Sequence, residues 1–243
     1  SLSTVGSGRA GLPHYYEYGE LKTSMVFLNQ TLKKRRKRAA AQEVTIRRAT
    51  DGDQARMQAF ADKEAKKKQF YPHYDFSDIN GGNAYYRDLA LSDYFLAFMG
   101  DKLVGMTGVW DQKGFKQTRF LAYSGGMQIL RHVNNWQSKL MGGMTLPEAG
   151  ELLEYLVLHC ILIQQNNPDI FRELFNFIFK EYAKSEKYSA LVCGLSVDDP
   201  LNTVLDGFRK QTLSSRHFIA SYADDPRGQF DTQRQFYLEA ARL

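Results

Sequence analysis

Cysteine is nearly absent from this 243-residue chain, which holds two, Cys160 and Cys193. Two thiols build no disulfide framework. Both lie in apolar, strand-like stretches and read as buried free thiols of a reducing compartment. Histidine is scarce too: five scattered rings and two isolated cysteines offer no ligand spacing, so no metal is expected. Long hydrophobic runs are missing. The longest, Leu152 to Ile163, is interrupted by Glu154 and His159 and falls short of the roughly 18 residues a membrane span requires. No charged opening leads into an apolar stretch, so no signal peptide is read. The expectation is a cytoplasmic protein with no membrane partner.

Hydrophobic residues make up 43% and charged residues 24%, enough for a sizeable core. The length allows one large domain or one and a half ordinary ones. The net charge is +5, much of it in the run Lys33-Lys34-Arg35-Arg36-Lys37-Arg38. Such a run could meet phosphate backbones or anionic lipid. No recognition helix or aromatic stacking motif accompanies it, so a solvated linker is the plainer reading and nucleic acid is not an expected partner.

Alternation over Leu21 to Asn29 predicts a strand, one that must add to a sheet elsewhere, either in the later domain or in something outside this chain, because a lone strand is unstable. Val44 to Ala49 predicts another. A capped turn at Thr50-Asp51-Gly52-Asp53 then opens a helix running to about Lys68, with Ala55, Met57, Phe60, Ala61 and Ala65 inward. An aromatic loop follows (Phe70, Tyr71, Tyr74, Phe76), then a second helix over Gly82 to Leu91. Tyr94–Met99 and Leu103–Trp110 flank Gly100-Asp101-Lys102 as a hairpin. Phe115 to Tyr123 is a candidate strand and Gly125 to Leu140 an irregular helix. Leu153 to Ile163 reads as a central strand buried on both faces. Asn167 and Pro168 cap and start a helix whose stripe is Phe171, Leu174, Phe175, Ile178 and Tyr182. Ser189 to Ser196 is the next strand and Asp199 to Lys210 a helix. Ser214 to Tyr222 and Arg234 to Ala240 close as two strands, expected to be antiparallel. Cys160 and Cys193 should lie on neighbouring parallel strands.

This order resembles the GNAT acetyltransferase superfamily. The likeness rests on Val44-Thr45-Ile46-Arg47-Arg48-Ala49-Thr50-Asp51-Gly52-Asp53, Leu146-Pro147-Glu148-Ala149-Gly150, Asn167-Pro168-Asp169-Ile170-Phe171-Arg172-Glu173-Leu174, Gly194-Leu195 and Asp199-Pro200-Leu201. Trp110-Asp111-Gln112, Phe115-Lys116-Gln117 and Ser7-Gly8-Arg9-Ala10-Gly11-Leu12-Pro13 are similar to a subfamily with tandem GNAT-like units. The resemblance implies an α/β (α+β) fold, a mixed, mostly antiparallel sheet with flanking helices. It implies that residues 1–31 are the terminal strands of a preceding unit, 32–42 a basic linker and 43–243 the GNAT-like domain. It further implies acyl transfer from acetyl-CoA or another acyl-CoA to a small-molecule amine or other acyl acceptor.

That chemistry needs backbone N–H groups at a helix N-terminus for the pyrophosphate. It also needs open backbone groups on a splayed strand for the pantetheine arm, and proton transfer at the reacting centre. By the resemblance, the cofactor loop falls on Gln165, Asn166, Asn167, Asp169, Ile170 and Phe171. The family's two glycines are missing there, Pro168 has no N–H, and Asp169 carries a repelling charge. Glu154 and His159 are the candidate proton-transfer residues; the alternatives are an exposed strand start and a core histidine. Phe208 stands near the place of the usual tyrosine acid and donates no proton. The aromatic loop with Trp110 lines an acceptor pocket or belongs to the core, and His73 among it is a weak candidate. Two functions follow: an N-acyltransferase with a degenerate cofactor site, or a non-catalytic GNAT-like binding or structural domain.

Overall fold

The computed structural model describes residues 14–30, 43–79, 81–116, 154–185, 187–231 and 233–243. The helix expected over Gly125 to Leu140, the basic run, and the strand expected over Phe115 to Tyr123 beyond its first two residues lie outside them; Phe115 itself is in a turn. Seven strands form the main sheet: β1 (His14–Phe27), β2 (Thr45–Arg48), β4 (Tyr94–Met99), β5 (Lys102–Trp110), β6 (Tyr155–Ile163), β7 (Ala190–Ser196) and β8 (Lys210–Ser221). Their order is β2-β4-β5-β6-β7-β1-β8. Every pairing in this sheet is antiparallel except β6 with β7. A separate parallel pair joins β3 (Lys68–Gln69) to β9 (Gln235–Phe236). Helices α1 (Gln54–Ala65) and α2 (Pro168–Tyr182) flank the sheet. This is the mixed, mostly antiparallel α+β class that the sequence predicts.

Helix α2 forms where its local chemistry demands it. The Asn167 side chain accepts from the Asp169 N–H at 2.9 Å, and Pro168 occupies the first turn, where no N–H is required. Phe171, Leu174, Phe175 and Ile178 are fully buried against the sheet, with Leu158, Ile161, Cys193 and Leu195 in the same core layer. Met57, Phe60 and Ala61 of α1 pack on the opposite face, whereas Ala55 is exposed and Ala65 half-buried.

The predicted strand over Leu21 to Asn29 is present and longer. It enters the main sheet out of sequential order, between β7 and β8. Three expected elements differ. Over Gly82 to Leu91 there is a 3-10 turn, Ala84–Tyr86, capped by Asn83, because Asp88 takes a left-handed φ of 59° that no helix continues through. The helix expected over Asp199 to Lys210 is one turn, Asn202–Leu205. There the Asn202 amide donates to the carbonyls of Ser196, Val197 and Asp199 and builds a turn from its side chain instead. Arg234 to Ala240 pairs only through Gln235 and Phe236, and in parallel rather than antiparallel fashion.

Candidate functional site

The parallel pair β6–β7 holds register for three residues, Tyr155↔Ala190, Leu156↔Leu191 and Val157↔Val192. Beyond Val157 the strands part. At the same point β6 carries a bulge: Met106↔Leu162 and Gly108↔His159 leave Thr107 of β5 facing two residues of β6. Cys160 takes a φ of 51° there. The extra residue shifts the alternation, so Leu158 and Ile161 both belong to the α2 layer while His159 and Cys160 both face the α1 side. The Cys160 N–H is released from the ladder and points into the gap.

The closing segment fills that gap. Tyr237, Glu239 and Ala241 alternate inward and are buried. A Cβ on Gly194 of β7 would lie 2.3 Å from the Ala240 Cβ, so only glycine allows this approach. The Glu239 carboxylate accepts from the Cys160 N–H at 2.7 Å, the Tyr237 hydroxyl at 2.8 Å and the Tyr74 hydroxyl at 3.0 Å. Burial pushes its pKa up against these donors, which pull it down. The Tyr74 and Tyr237 phenols are pushed well above the ordinary tyrosine value, also by burial.

His159 is fully buried beside this cluster, with its Nδ1 3.2 Å from the Tyr74 hydroxyl. Tyr74 gives its one hydrogen to Glu239, so Nδ1 carries the imidazole proton and Nε2 the lone pair. Nε2 is buried without a partner among the described residues. Burial, reinforced by the Arg242 charge, lowers the His159 pKa to about 3, and the ring stays neutral at physiological pH. Glu154 stands apart. Five residues along a strand span about 16 Å; its side chain pairs with Lys113 and its carbonyl accepts from Ser189.

The loop after β6 is occupied by its own contacts. Gln165 and Asn166 adopt left-handed φ values of 57° and 45°, and Asn166 bonds to Gln235. Asn167 takes the Asp169 N–H, Asp169 pairs with Arg172, and the Ile170 and Phe171 side chains are core. Lys68, buried and with its pKa lowered by desolvation, sits 3.3 Å from Gln235 Oε1. Phe208 packs on Phe175 and Phe179, and His73 is exposed. The site residues that sequence reasoning missed are Glu239, Tyr237 and Arg242. The one available signal was an acidic residue amid inward-alternating apolar ones.

Cys160 and Cys193 lie on the neighbouring strands β6 and β7, buried and free, with burial raising both thiols. Reaction of either with a disulfide reagent is expected to follow global unfolding. Rapid labelling of both in the native protein would contradict this placement.

No family model and no curated protein matches this chain. Solved structures do. A GCN5-related N-acetyltransferase from Sphaerobacter thermophilus matches at 12% identity and a TM-score of 0.48, over 91% of this chain and 56% of that one. A GCN5-related N-acetyltransferase from Anabaena variabilis matches at 10% and 0.46, over 86% and 42%. A glucosamine N-acetyltransferase region of a fungal multi-domain β-N-acetylglucosaminidase matches at 12% and 0.44, over 82% and 20%. The chain spans about half the length of the first two. No described helix is long and apolar enough to cross a membrane.

Proposed function

We propose that the chain carries a GNAT-type N-acyltransferase domain whose acyl-CoA site is degenerate. The observation behind this reading is the parted β6–β7 pair, with a bulged strand that presents a backbone N–H into the gap. A pantetheine arm or acyl carbonyl needs that kind of donor. At this strand end the donor is of the right kind, but the Glu239 carboxylate holds it, so a cofactor would have to displace the closing segment. At the phosphate end Pro168 lacks an N–H, the Asp169 N–H is already bound, and the Asp169 carboxylate faces solvent where phosphates would approach. In the tandem reading, β1 belongs by sequence to a preceding unit and by pairing to this sheet. The acceptor in this reading is a small-molecule amine.

A second reading, a non-catalytic GNAT-like binding domain, draws on Phe208 in the place of a proton donor and on the closed gap. Isothermal titration separates the two. Acetyl-CoA and free CoA are expected to bind the chain with a Kd above about 100 μM, under roughly 5.5 kcal/mol. Asp169→Gly is expected to tighten this several-fold. Micromolar binding by the unmodified chain would show the loop to be competent. Failure of the Asp169→Gly chain to bind at millimolar acetyl-CoA would favour the non-catalytic domain.

A further inference from the structure

Four aromatic rings converge on the Arg242 guanidinium. Its central carbon lies 3.3 Å from the ring centroid of Tyr85, 5.2 Å from Trp110, 5.3 Å from Tyr74 and 5.5 Å from Tyr86. Significant cation–π contacts occur about once per 70–80 residues, so four on one cation form a cage. The walls are held from outside. Trp110 Nε1 donates to the Arg87 carbonyl at 2.9 Å, the Tyr86 hydroxyl accepts from the Asp75 N–H at 2.8 Å, and Tyr74 bonds to Glu239. Tyr74, Tyr86 and Trp110 are nearly fully buried, and Tyr85 forms the open side.

Arginine suits this space poorly. No carboxylate among the described residues pairs with it, and its side-chain hydrogen bond runs from Nη1 to the Tyr85 carbonyl. Nε and Nη2 are buried without acceptors. A guanidinium normally sits where its forked donors are matched. Here the rings attract the charge and leave the donors stranded. A cation with no N–H to satisfy would keep the attraction and lose nothing.

We propose that Tyr74, Tyr85, Tyr86 and Trp110 form a binding cage for an alkylated ammonium head group, and that Arg242 closes it as a built-in occupant. The cage goes beyond the acyl-CoA reading, since its walls come from the loop after α1 and from the end of β5, not from the gap between β6 and β7.

The test is isothermal titration of the full chain with choline and with its neutral isostere 3,3-dimethyl-1-butanol, without acyl-CoA. Arg242→Ala is expected to bind choline at least ten-fold tighter than the alcohol and at least ten-fold tighter than the unmodified chain does. Arg242→Lys, which returns a cation to the cage, should behave as the unmodified chain. If circular dichroism shows Arg242→Ala unfolded, Arg242→Gln takes its place. A folded neutral variant that binds choline no better than the alcohol overturns the proposal. So does an unmodified chain that binds choline as tightly as the variant. Neither result touches the acetyl-CoA titration, so the two readings fail separately.

Discussion

Glu239→Ala is expected to lower the unfolding free energy by about 4 kcal/mol, since each buried donor stranded without an acceptor costs about 1–3 kcal/mol. Three donors converge on one of its oxygens, from Cys160, Tyr74 and Tyr237. Glu239→Gln keeps an oxygen for them and should cost about 1 kcal/mol, the ordinary net worth of one hydrogen bond. The two variants also differ in pH response. Burial raises the Glu239 pKa, so the native state holds this proton more tightly than the unfolded chain does. Its contribution is therefore fully present below the ordinary glutamate pKa and is lost as pH rises through the raised value. Urea melts across that window should show the slope in the unmodified chain and not in Glu239→Gln. Equal slopes, or an alanine variant as stable as the glutamine one, would remove Glu239 from the centre of this cluster.

Gly108→Ala is expected to destabilise by about 3 kcal/mol, the upper end for overpacking a filled core. The added Cβ would lie 2.2 Å from His159 Nε2. The imidazole has nowhere to go, being held by Tyr94, Trp110 and Tyr74 at ring-centroid distances of 5.1, 5.2 and 5.9 Å. Adding His159→Ala removes the clash, so the double variant should be more stable than the sum of the two single effects by more than about 1 kcal/mol, as for residues in direct contact. Strict additivity in thermal or urea melts would show that the clash is relieved elsewhere.

Much of this fold was legible in the residues because its causes are local. The β4–β5 hairpin shows in two apolar runs around Gly100, and α2 in its cap, its proline and its stripe. The bulge in β6 was not legible. Alternation assumes one residue per step, and the extra one is defined only by its pairing with Thr107 and Gly108 across the sheet. The closing segment misled differently. The inward period of Tyr237, Glu239 and Ala241 is real, but it answers side-chain and backbone groups in the gap rather than a neighbouring strand. Of the two proton-transfer candidates, His159 joins the buried cluster and Glu154 does not. Sharing a strand says nothing about sharing a site when the strand is long. The loop from Gln165 to Phe171 was legible down to its cap, since Asn167 and Pro168 act on their immediate neighbours.

The placement of β1 sets the timing of folding. Ser24 of β1 meets Thr212 of β8 across a separation of 188 residues, and its other neighbour is β7. During synthesis β1 leaves the ribosome well before β7 and β8, and both of its edges wait until those strands have followed. Loop-closure entropy must be met before those ladders form, so the half of the sheet beyond β6 closes late. Until then β7 lacks a neighbour on that side and offers an open edge to other chains. The β4–β5 hairpin, with β2 beside it, spans far shorter separations, and the molecule should assemble from that side inward.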